Sequence, residues 1–86
     1  MDEYSVVFAR SARKELGRLG EPRISRVLRR IETLALTPRP DGCRKLQGAS
    51  NLCRIRVGDY RVPYSFDDTR QIVHVIAVRH RSDAYH

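Results

Sequence analysis

A chain of 86 residues buries only about 60 to 65% of its unfolded surface on folding, so its 41% hydrophobic residues suffice for one thin core. That excludes a two-domain architecture and a large internal substrate cavity. Seventeen Lys and Arg against ten Asp and Glu leave a net charge of +7, which points to a polyanionic partner, nucleic acid first.

No apolar stretch approaches the roughly 18 residues of a membrane helix, and Met1-Asp2-Glu3 is not the basic start of a secretory leader. A soluble, cytoplasmic protein with no membrane partner is expected. Cys43 and Cys53 form no CxxC pair and have no His at ligand spacing, so they read as reduced structural thiols, with no zinc site and no disulfide framework. Linkers, repeats and low-complexity stretches are missing, and residues 1–86 read as a single domain.

Tyr4-Ser5-Val6-Val7-Phe8 suits a first strand, being rich in aromatic and β-branched residues with partial alternation. Ala9, Ala12, Leu16 and Leu19 then follow at helical spacing and predict a helix over about 9–19, stopped by Gly20. Pro22 fits the first turn of a second helix, whose apolar face is Ile24, Val27, Leu28, Ile31, Leu34 and Ala35, and Thr37-Pro38-Arg39-Pro40 ends it. The two helices form an antiparallel hairpin. A short piece near Lys45-Leu46 adds a sheet edge. Leu52–Val57 and Tyr60–Phe66 flank Gly58-Asp59 as a two-residue β-hairpin with Gly first, and Gln71–Val78 supplies a third strand after the Asp67–Arg70 turn. The predicted fold class is α+β, an N-terminal strand and two-helix hairpin packed on one face of a small, mainly antiparallel β-sheet.

The hairpin register sorts the side chains. If 57 pairs with 60, one face collects Cys53, Ile55, Val57, Tyr60, Val62, Tyr64 and Phe66, a core. The other carries Arg54, Arg56 and Arg61, with Arg56 and Arg61 directly opposed at a cost in stability. Arginine stays protonated and grips phosphate bidentately, so this face is either an RNA platform or a solvated basic surface balanced by Asp67, Asp68 or Asp83. Arg39 and Arg44 on the preceding loop either widen the patch or stay in water.

The stretch Arg79-His80-Arg81-Ser82-Asp83-Ala84-Tyr85-His86 adds groups that chemistry requires. Tyr85 can stack a base, transfer a proton or simply plug the core edge. Histidine ordinarily titrates near neutrality, which makes His80 a possible acid or base as well as a possible hydrogen-bonded surface residue. His74, inside an apolar strand, reads as a satisfied core or edge histidine. Pro63 cannot donate a ladder hydrogen bond, so it requires an edge site or a bulge. The loop after Phe66 leaves the facing of Arg79 and Arg81 open.

In this order and spacing, the opening strand, Ala12-Arg13-Lys14-Glu15-Leu16, Lys45-Leu46 with Gly48, Arg54-Ile55-Arg56-Val57-Gly58-Asp59-Tyr60-Arg61-Val62 with Tyr64, and Val78 with His80-Arg81-Ser82-Asp83-Ala84-Tyr85 resemble the RelE/ParE superfamily of toxins from toxin–antitoxin pairs. The resemblance implies a RelE-like fold and, on the RelE side, a metal-independent, cofactor-free endoribonuclease that cuts mRNA in the decoding site of the small ribosomal subunit by 2′-hydroxyl attack. It also implies a cognate antitoxin. The family's functional positions match Arg54, Arg56, Arg61, Arg81 and Tyr85, while Arg44, Arg39 and Arg79 are further candidates for RNA binding. The best-studied branch has lysines where Arg54 and Arg56 stand; arginines there read as clamps, leaving Tyr85 or His80 as general base. Pro63 also departs from the family's aliphatic residue, and no C-terminal helix is expected after Tyr85. Two other readings remain: a ParE-like, non-enzymatic inhibitor of DNA gyrase, and an inactive RNA-binding homologue.

Overall fold

The computed structural model of the protein describes residues 3–39, 44–45 and 51–82, with 44–45 described through the backbone. Its elements are β1 (Ser5–Phe8), α1 (Arg10–Gly17), α2 (Arg23–Thr33), β2 (Arg44–Lys45), β3 (Leu52–Val57), β4 (Tyr60–Asp67), β5 (Ile72–Val75) and β6 (Arg79–His80). The strands form one sheet in the order β1-β5-β4-β3-β2, and β6 also lies along β4. Among the described residues, only the β1–β5 pair is parallel. No helix among the described residues is long and apolar enough to cross a membrane.

Each element follows from its pattern. In β1 the odd residues Ser5 and Val7 are exposed while Val6 and Phe8 pack against the core. α1 buries Ala12 and Leu16, α2 buries Val27 and Ile31, and Leu34 is sealed just beyond it. α2 closes with a tightened turn: the Leu34 N–H bonds Ile31 O at 2.9 Å and the Ala35 N–H bonds Glu32 O at 3.1 Å. Gly20, the expected stop after α1, takes φ +69°. The Tyr64 hydroxyl donates to Pro38 O at 2.6 Å from a buried site and ties the segment after α2 to the sheet. These helix residues meet Cys53, Ile55, Val57, Val62, Tyr64, Phe66, Val73 and Val75 in one core on one face of the sheet.

Helical stripes pointing inward leave their charges outside. Residues 10–33 carry eight Lys and Arg against three Glu, a local charge of +5 out of the whole chain's +7. Glu15 and Glu21 serve as hydrogen-bond acceptors, for the Val78 N–H at 2.8 Å and for Ser25. The helix cations form no ion pair among the described residues.

The expected third strand, Gln71–Val78, is broken. β5 ends at Val75 and the ladder resumes as β6 at Arg79. Tyr64 partners Val75 and Arg61 partners Arg79, so the three residues 76–78 stand opposite two, 62 and 63. This is a one-residue bulge, and Ala77 and Val78 are consecutively buried within it. Pro63 explains its place. The Ile76 N–H donates to Pro63 O at 3.0 Å, so the backbone polar side of Pro63 faces the bulge. The donor that proline lacks is therefore missing where the ladder is already interrupted, and the β3–β4 register continues past it as predicted.

Candidate nucleic-acid interface

The β3–β4 hairpin turns at Gly58, φ +59°, and pairs Val57 with Tyr60, Arg56 with Arg61, Ile55 with Val62 and Arg54 with Pro63. Cys53, Ile55, Val57, Val62, Tyr64 and Phe66 are buried on the helix side. Arg54 and Arg61 on the open side are partly buried and Arg56 is exposed. The bulge then decides what plain alternation could not. It sets Arg79 opposite Arg61 and His80 opposite Tyr60, which adds Arg79 to the arginine face and sends His80 to the other.

The open face is therefore a grid. One row crosses β3, β4 and β6 as Arg56, Arg61 and Arg79; the next holds Arg54 and Pro63, with Arg44 of β2 in register with Arg54; a third runs Leu52, Ser65, His74 and Val7. Rows lie two residues apart along a strand, about 7 Å. Like charges placed directly across strands are destabilising. Such an arrangement is suited to binding a polyanion.

Arg81 is exposed just past β6, and its backbone N–H donates to Asp59 O at 2.7 Å, anchoring it beside the hairpin turn at the Arg56–Arg61–Arg79 end. His80 is held on the helix side. Its ring packs edge-on against Tyr60, centroids 5.4 Å apart at 86°. Its Nδ1 accepts from the Ser82 N–H at 3.2 Å, with Ser82 Oγ at 2.8 Å, which assigns the proton of the neutral ring to Nε2. The ring looks into a cleft lined by Glu15, Arg18, Leu19, Tyr60, Val78 and Ser82. Tyr85, Asp83, His86 and Cys43 lie outside the described residues.

Three expectations need correction. Arg39 does not join the patch: it pairs with Asp68 at the opposite end of the hairpin and lies 4.3 Å over the ring of Phe66, a core-face residue. Asp67 and Asp68 are engaged elsewhere than with the strand arginines. The Asp67 carboxylate accepts from the N–H groups of Thr69 and Arg70, both at 3.0 Å, and Asp68 accepts from Tyr4 as well as Arg39. His74 is neither core nor edge, since β5 lies between β1 and β4 and its burial alternates, leaving His74 exposed on the open face. The alternation of Val73 and Val75 around it was the available signal.

In that cluster the hydrogen bond from Tyr4, then that from Arg39, holds the Asp68 carboxyl below its ordinary pKa. The same bond raises the Tyr4 phenol, and Asp68 raises Arg39.

The family model described as the ParE toxin of type II toxin–antitoxin systems, parDE, matches residues 6–85. A chain of the RelBE2 toxin–antitoxin complex of Mycobacterium tuberculosis is similar at TM-score 0.81 and 28% identity, covering 96% of this chain and 97% of that one. A chain of the archaeal RelE–RelB complex of Pyrococcus horikoshii OT3 gives 0.80 and 28%, covering 92% and 96%. The isolated RelE toxin of E. coli gives 0.79 and 26%, covering 95% of each. No curated protein matches the chain. With its family pattern running through nearly every element of a fold shared with RelE toxins, the chain belongs to the RelE/ParE superfamily of type II toxin–antitoxin toxins.

Proposed function

We propose that the protein, as one domain over residues 1–86, is a ribosome-dependent endoribonuclease that cleaves mRNA in the decoding site and so halts translation in the cytoplasm. The observation that carries this reading is the convergence of Arg54, Arg56, Arg61 and Arg79 on one open sheet face, with Arg81 anchored beside the same end. The chemistry asks for three things. The 2′-hydroxyl loses a proton and its oxygen bonds the adjacent phosphorus; the bond to the 5′-oxygen breaks; and that oxygen takes up a proton. Guanidinium groups suit the charge that builds on the phosphorane oxygens, and Arg54 and Arg56 clamp the flanking backbone while Arg61 and Arg81 serve the reacting phosphate. None of them gives up a proton at neutral pH, so the base is sought elsewhere. With the His80 ring on the helix-side face, Tyr85 is the candidate we favour. The ribosome's small subunit supplies the mRNA geometry, and a cognate antitoxin, as in the RelBE complexes, restrains the toxin.

The family model itself favours a second reading, since it is that of ParE toxins: a non-enzymatic inhibitor of DNA gyrase. One experiment separates the two. The chain is induced without antitoxin, and primer extension is run on a translated and an untranslated copy of one mRNA. Cuts on the translated copy alone, absent for Arg81→Ala, are expected. Growth arrest with intact mRNA and altered DNA topology would transfer the protein to the gyrase class.

A further inference from the structure

The open face has two halves of different chemistry. Beyond the arginine rows, the row Leu52, Ser65, His74 and Val7 crosses β3, β4, β5 and β1. Val7 is 46% exposed, one of the two large apolar side chains so placed among the described residues. His74 is exposed between Val7 and Ser65, and no hydrogen bond or ring contact engages it among the described residues. Every other ring of the described strands, Phe8, Tyr60, Tyr64, Phe66 and His80, stands on the helix side or in the core. His74 is thus the one aromatic ring that the described strands place on the open face. Around it lies a shallow hollow of about 430 Å³ lined by Val7, Asn51, Ser65, Asp67, Arg70 and Ile72 together with His74, the buried Phe66 also contributing to its wall.

A shallow hollow with one unspent aromatic ring, the aliphatic side chains of Val7 and Ile72, and hydrogen-bonding groups around them fits a nucleobase: a planar face to stack and polar edges to satisfy. The backbone has cations on both sides, Arg54 in the neighbouring row and Arg70 at the rim. For an RNA that runs along the strands, the spacing picks out the base. The His74 row is two rows from the Arg61 row, about 13 Å along the strands, and each row step is about twice the 3.4 Å rise per nucleotide of a stacked strand, as an unstacked strand would require. We infer that the hollow at His74 is a base subsite, in which the imidazole stacks a base two nucleotides from the cleaved phosphate and biases where the mRNA is cut. This rests on the nuclease reading above.

The test compares wild type, His74→Ala and His74→Phe on ribosomes programmed with mRNAs that vary at that base. His74→Ala should lower kcat/KM about ten-fold, the scale of one lost base stack, and flatten the dependence on the varied base. His74→Phe should restore the rate. His74→Ala cutting at the wild-type rate with unchanged preference would overturn the subsite, as would failure of Phe to rescue. If the wild-type chain cuts nothing, the nuclease reading fails by itself, and anisotropy titration with a short fluorescent single-stranded RNA decides the subsite. A loss of affinity in His74→Ala that Phe restores upholds it, and equal affinities, or no binding by wild type, reject it.

Discussion

Asp68 gathers what its neighbours lack. It accepts from the Tyr4 hydroxyl at the start of β1 and from Arg39 after α2, so one carboxylate on the turn beyond β4 joins three separate parts of the chain. Its pKa is lowered chiefly by the Tyr4 hydrogen bond. A carboxyl with a folded pKa below its unfolded value stabilises the fold above the unfolded value and loses that contribution as pH falls through the folded one. Asp68→Asn should therefore lower the melting temperature at neutral pH by a small amount, as exposed groups contribute weakly. The difference should close below about pH 4, the ordinary aspartate range. A difference that persists unchanged to lower pH would mean that hydrogen-bond geometry, not charge, is what Asp68 provides. Nothing near Arg39 in the chain announces this partner 29 residues away, so the pairing is not legible in the sequence.

At the level of elements, the hairpin was legible down to its register. Gly58-Asp59 fixes which residues face each other, and the alternation of Cys53, Ile55 and Val57 against Arg54 and Arg56 fixes which face is buried. The continuation was not legible, because a bulge inserts a residue without leaving a pattern, and odd-numbered Arg79 lands on the face opposite to Val73 and Val75. Pro63 signalled a disturbance but not on which side of β4 it would fall. The two helices were found by their apolar stripes, with the second ending two residues before Ala35 in a tightened turn. Two glycines test the backbone argument with opposite signs. A Cβ at either Gly58 or Gly17 meets nothing within 4 Å, but Gly58 has φ +59°. Gly58→Ala should cost roughly 1 to 2 kcal/mol from left-handed strain, a fall of about 5 to 15 °C in the melting temperature. Gly17→Ala, at the end of α1, should be neutral or stabilising by up to about 1 kcal/mol. Equal effects at both would show that Gly58 is not held in its positive φ in solution.

For the whole molecule, RNA binding should be salt-dependent, with log affinity falling by about 0.7 per log unit of salt for each phosphate neutralised on a single strand. Replacing Arg61 by Ala should reduce that slope by about 0.7 for a short single-stranded RNA. Arg29→Gln, on the exposed side of α2, should leave it unchanged. The reverse pattern would move the binding surface from the sheet to the helices.

The division of charge between the two sides has a practical consequence. Removing Arg54, Arg56, Arg61 and Arg79 together takes the net charge from +7 only to +3, because the helix hairpin keeps its own +5. Such a chain would still elute late from a cation exchanger. Chromatographic retention is then a property of the helices, and an inactive preparation would look as basic as an active one.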